Sequence, residues 1–244
     1  MELVIGGAVG AGVLYVWVWR RFAAIQAYRR RHQRNDDFER RLRAARAELS
    51  GPNPWREATA SDAELLTRFE PARADERALE ACGFTRLGDL VADVTPLRAY
   101  VDREATTCAF LTAHSDGVVR LSLRSFAAGG ETFTTRRGRL GDLAEPPFVH
   151  VTTLADDVAM TTVVARQREL RSSATLVTIQ TLGELVAAIG ESRAKRVSWR
   201  ESLPADELLD ADLRASLGDH YGAVGKIWAR RLRGRLPVAT ARRV

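Results

Sequence analysis

The chain has 244 residues, 45% of them hydrophobic and 28% charged, enough for one domain with its own core. Its net charge of +6 sits at the ends. Residues 1–50 carry ten arginines against five acids, residues 225–244 carry seven basic residues and no acid, and the body between holds 20 basic and 26 acidic residues. Basic ends on an acidic body argue against nucleic acid as a partner, because a nucleic-acid-binding domain carries the basic patch on its folded part. They suit contact with anionic lipid, at about 1 kcal/mol per basic residue near the surface.

Thirty-five of the 37 basic residues are arginine. With abundant alanine, this reads as the compositional bias of a GC-rich bacterial genome. The two cysteines, Cys82 and Cys108, show no metal-ligand spacing. Such sparse usage suits a reducing compartment or simple core filling.

The chain begins ELVIGGAVGAGVLYVWVWRR. Tyr15 stands at the third glycine position of a dinucleotide fingerprint and no βαβ unit follows, which sets that reading aside. No Lys or Arg precedes the apolar core, which sets aside a secretion signal. Leu3 to Trp19 is an uncharged run of seventeen residues, at the short end of the range of about 17–25 for a membrane span. The expectation is a transmembrane anchor over residues 1–22. The arginines that follow it place the N-terminus outside the inner (plasma) membrane and the remaining chain in the cytoplasm. Gly6 with Gly10, Gly7 with Ala11 and Ala8 with Gly12 are small residues four apart. They offer a close-packing face for a homodimer or a partner span.

Residues 23–50 lack Pro and Gly and favour a helix, with Phe38, Leu42, Ala45 and Leu49 as a narrow apolar seam. "SGPNP" ends that helix and opens a linker over residues 51–60. The α+β domain is expected over residues 61–232, and a basic tail over 233–244. Short helices are expected at Asp62–Phe69 and Asp75–Cys82. Strands follow at "TRLGDLVADV", "LRAYVD", "TTCAFLTAH", "VVRLSLRSF", "ETFTTRRG" and "PFVHVTTL", with "SDG" a hairpin signal. Val119, Leu121 and Leu123 alternate with Arg120, Ser122 and Arg124, so one strand face is apolar and the other polar. These segments predict an antiparallel meander of five or six strands. Helices are predicted at Ala155–Arg171, "TLGELVAAIGESRA", "PADELLDADLRASLG" and "HYGAVGKIWARRL", with "ATLVTIQ" an edge strand or buried connector. Strands first and helices after suggest helices laid on one face of the sheet.

Catalytic motifs are absent from the sequence. There is no zinc-binding pair of histidines, no phosphate loop and no G-x-S-x-G elbow. "AHSDG" holds His, Ser and Asp side by side in a turn, whereas a triad converges from separate segments. No metal or cofactor is expected. One constellation does suggest chemistry. His114, Arg120, Arg124 and His150 lie on strands whose faces can be shared, with Thr132, Thr134 and Arg136 able to join them. Guanidinium groups so placed offer bidentate donors to phosphate or carboxylate. The leading reading is a non-enzymatic binding or scaffolding module, and the alternative is an enzyme or anionic-ligand-binding domain with its site on the polar sheet face.

Overall fold

The computed structural model describes residues 53–114, 117–138, 143–217 and 221–232, together with 38–40, 42 and 46. The chain divides into two compact units, Met1–Arg46 and Ala47–Val244. In the first, the described residues are helical, and Phe38 and Leu42, one turn apart on the seam, are both buried.

The second unit opens with the short strand β1 (Arg56–Glu57), then α1 (Ala63–Leu66) and α2 (Arg73–Ala81), linked by a 3₁₀ turn over Thr67–Ala72. Six strands follow: β2 (Thr85–Ala92), β3 (Thr95–Val101), β4 (Cys108–Ala113), β5 (Val119–Phe126), β6 (Thr132–Arg137) and β7 (Val149–Leu154). Four helices close the chain: α3 (Met160–Leu170), α4 (Leu182–Ser202), α5 (Ala205–Leu217) and α6 (Tyr221–Leu232). The strands form one sheet in the order β1 to β7, antiparallel throughout except for the parallel pair β6–β7.

Both faces of this sheet are covered. On the first face, Tyr100, Ala109, Leu111, Leu121 and Leu123 pack with Phe69, Leu79 and Phe84, and with Met160, Val163 and Val164 of α3. On the second face, Leu90, Leu97, Ala99, Cys108, Phe110 and Phe126 pack with Ile179, and with Leu185 and Ile189 of α4. Strand β4 shows why one strand serves two cores: Cys108 to Leu111 is a continuous apolar run, and all four residues are buried. A strand covered on one side alternates, whereas a strand covered on both does not.

Helix α4 starts on a reciprocal cap. Glu184 N donates to Thr181 Oγ1 at 3.2 Å, and Glu184 Oε2 accepts from Gln180 N at 2.7 Å and Thr181 N at 3.1 Å. Those backbone donors hold the Glu184 carboxyl below its ordinary pKa, and such a cap is worth about 1 kcal/mol. The start of α4 then docks on Gly88, at the irregularity in β2. Gly88 has φ +154°, and a Cβ there would collide with Leu182 Cδ1. Gly88→Ala is therefore expected to lower stability by about 1–3 kcal/mol, measured as a shift in the urea midpoint with unchanged slope.

Several expectations are corrected here. The sheet is a seven-stranded mixed sheet, not an antiparallel meander of five or six strands. The connection over residues 138–148 brings β7 back alongside β6 in the same direction, and the composition of β7 is the same for either direction. Helices lie on both faces, not one. Among the described residues no helix is long and apolar enough to cross a membrane, so the membrane-anchored, single-pass architecture is withdrawn. The run expected to form it, residues 1–22 with Gly6, Gly7, Ala8, Gly10, Ala11 and Gly12, lies outside the described residues. Helix α3 begins at Met160, after Asp156 and Asp157, which occupy a turn. "ATLVTIQ" is a connector with a single bridge, Leu176 to Ala127, and it buries Ile179.

Candidate functional site

The inward stripe of α4 is Leu185, Ile189, Ser192, Arg196 and Arg200, spaced so that all five lie on one side of the helix. It begins apolar and ends in arginine. The second face of the sheet changes in the same direction. Phe126 pairs with Thr132, Arg124 with Thr134 and Ser122 with Arg136. A contact of 3.0 Å between the Thr132 and Ser192 hydroxyls sets the register of helix on sheet. One step further along, Arg196 reaches the layer of Arg124 and Thr134. A space that begins as hydrophobic core thus continues as an arginine-lined layer.

Within that layer the arginines differ in their partners. Arg200 is buried and holds the fully buried Asp212 through two contacts, at 2.9 Å and 2.6 Å. Asp212 also accepts from Ala144 N at 3.0 Å, which ties the crossover between β6 and β7 to α4 and α5. Arg196 pairs with Glu145 of the same crossover at 2.7 Å, and both are half-buried. Its Nε is buried without a partner. Arg136 donates from Nε to Thr153 Oγ1 at 3.2 Å.

Arg124 is different. Its Nε is buried, and among the described residues no hydrogen bond or ion pair reaches its guanidinium. The group lies 5.6 Å from the centroid of the Phe110 ring. Burial pushes its pKa down to about 10, and the like charges of Arg196 and Arg136 add to this against the opposing pull of Glu145. Next to it, Thr134 is buried with an unpartnered Oγ1. The first face offers a contrast: Arg98 has Asp89 and Glu76, Arg137 has Asp75, and Arg171 has Asp102 and Glu104. Those arginines have their counter-charge inside the fold.

The residues expected from sequence divide between the two sides of the sheet. Arg124 lies at the centre of the layer, and Thr132, Thr134 and Arg136 share its face. Arg120 shares that face too, but pairs with Thr112 further along β5 and is exposed. His114 begins the β4–β5 hairpin, where its backbone N donates to Val118 O at 3.0 Å. His150 belongs to the opposite face. It stacks on Phe133 with ring centroids 4.9 Å apart and lies 3.4 Å from Glu131. Arg196 and Glu145 were missed. A signal for Arg196 was present, since it continues the stripe of Leu185 and Ile189 beyond the expected end of the helix.

Guanidinium groups and a hydroxyl at neighbouring positions are donors suited to an oxyanion. A thiol also adjoins the layer, that of Cys108, which pairs across from Arg124. Burial pushes its thiol up to about 12, so it is an inert core residue. Among the described residues no three His, Cys, Asp or Glu side chains gather as metal ligands would. Comparison with protein-family models, with curated proteins and with solved structures finds no match to this chain.

Proposed function

We propose that the domain is a binding module that takes an anionic ligand between the second face of its sheet and α4. The observation that carries this reading is Arg124. A half-buried guanidinium whose Nε has no hydrogen-bond partner, beside two further arginines and with the charge of Glu145 opposing them, is costly to hold in the fold. An aliphatic side chain at that position would pack against Phe110 and remove the cost. A chain that keeps arginine there keeps guanidinium donors that no side chain among the described residues takes up. Arg124 and Arg196 supply the bidentate donors, Thr134 supplies a hydroxyl, and Glu145 holds Arg196 as an internal counter-ion that the ligand displaces.

The test is titration calorimetry of inorganic phosphate and of sulfate into the full-length protein, with the melting temperature followed in parallel. Binding is expected, with a thermal upshift that grows with the logarithm of anion concentration and shrinks as sodium chloride rises. Glu145→Gln, which frees Arg196, is expected to tighten phosphate by about threefold or more. Absence of heat and of thermal shift with both anions would remove the reading.

A further inference from the structure

We infer that β7 is an interface through which two copies of this chain join edge to edge, their β7 strands antiparallel across a twofold axis.

Strand β7 is the last in the sheet, and its ladder to β6 uses only one of its edges. Phe148 O accepts from Thr132 N and Leu154 O accepts from Gly138 N, both at 2.9 Å. In a parallel ladder this pattern turns the even-numbered residues of β7 toward β6 and the odd-numbered ones away. Val149, Val151 and Thr153 therefore aim their backbone groups off the sheet. Val149 N is used locally, donating to Pro146 O at 2.9 Å. Among the described residues nothing takes up the backbone N and O of Val151 and Thr153, or the O of Val149.

Folds blunt such an edge with charge, proline, a bulge or a very short strand. The opposite edge follows that rule, since β1 is only Arg56 and Glu57, both charged and both exposed. Strand β7 does not. It holds no proline and no Asp, Glu, Lys or Arg, and its register with β6 runs unbroken from Val149 to Leu154. Val149, Val151, Thr152 and Thr153 are β-branched, the side chains that suit a paired strand.

Self-complementarity identifies the occupant as a second copy. Placing every outward residue opposite an outward residue fixes the register: Val151 faces Val151 of the second copy, and Val149 faces its Thr153. His150 then faces Thr152, and Phe148 faces Leu154. Apolar meets apolar, β-branched meets β-branched, and no like charges oppose each other, which is what stabilises an antiparallel pair. Val151 N of each copy donates to Val151 O of the other, and Thr153 N donates to Val149 O. The twofold closes the interface, so both open edges are consumed and only the short, charged β1 remains at either end of the doubled sheet.

The experiment is amide hydrogen exchange of the full-length protein over a range of concentrations, read at Val151 and Thr153, with sedimentation velocity on the same samples. Where the protein sediments as a dimer, both amides are expected to exchange about tenfold or more slowly than in the monomer. Val151→Pro spares the hydrogen bonds within the chain, because that N–H faces off the sheet, and is expected to weaken dimerisation by about 30-fold. Val151→Lys and Val151→Glu are each expected to be monomeric, and an equimolar mixture of them to restore the dimer. A protein that stays monomeric at every concentration overturns the inference. So does a dimer whose Val151 and Thr153 amides exchange freely, or one that Val151→Pro leaves undiminished, since another surface then joins the copies. The exchange measurement needs no variant, so it decides even where a substitution prevents folding.

Discussion

Arg124→Met is expected to raise the stability of the domain while removing its affinity for phosphate. Methionine conserves much of the length of arginine and packs against Phe110, and it carries no charge to desolvate beside Arg196 and Arg136. Replacing a half-buried charge that has no hydrogen-bond partner by a well-packed apolar side chain stabilises by about 1–3 kcal/mol. The lost charge-assisted hydrogen bonds weaken phosphate binding by about 10- to 100-fold. The sign of the pH dependence follows from the pKa of Arg124, which lies at about 10, below its ordinary value. Below about 10 the group is charged and its burial penalty is present in full. As pH rises from about 10 toward the value of a free guanidinium, the folded state gives up the proton first and the penalty fades. The advantage of Arg124→Met is therefore constant from neutral pH to pH 9 and narrows only above that. Urea denaturation at several pH values measures it. A loss of stability in Arg124→Met would show that the arginine is an ordinary structural residue.

Asp212→Ala is expected to have the opposite effect, a loss of about 3–5 kcal/mol. It leaves Arg200 buried without its carboxylate partner, and it removes the acceptor of Ala144 N, so the crossover into β7 loses its tie to α5. Against a total stability of about 5–15 kcal/mol for a domain, that is a large share. The double variant Arg200→Met with Asp212→Leu is expected to recover most of the loss, because the charge and its partner leave together. Circular dichroism melts of the two single variants and the double variant measure this coupling. The two arginine-bearing positions lie in the same layer under α4 and respond in opposite directions. Arg200 is held by Asp212 in direct contact, and among the described residues no carboxylate contacts Arg124.

The strand segments and their two-residue alternation were legible in the chain. From alternation alone, Arg120 and Arg124 share one face of their strand and Thr132, Thr134 and Arg136 one face of theirs, because successive side chains on a strand point to opposite sides, and the register of β5 on β6 puts the two sets on the same side. The same local rule misleads at β7. His150 alternates as expected, but the parallel pairing of β7 with β6 puts it in register with Phe133, on the other side of the sheet from Arg124. Nothing within "PFVHVTTL" encodes that direction. It is set by the path of the crossover, which Ala144 and Glu145 fasten to residues far along the chain.

The apolar run Cys108 to Leu111 is covered on both faces, whereas the order of strands and helices alone leads to the expectation of helices on one. The sequence by itself determined which side chains share a strand face and which share a helix stripe, because covalent geometry repeats every two residues in one and every 3.6 in the other. Only the tertiary structure decided that the arginine end of α4 lies over the arginine end of β5 and β6. That juxtaposition depends on long-range packing of the apolar ends, and it leaves the Nε of Arg124 buried without a hydrogen-bond partner.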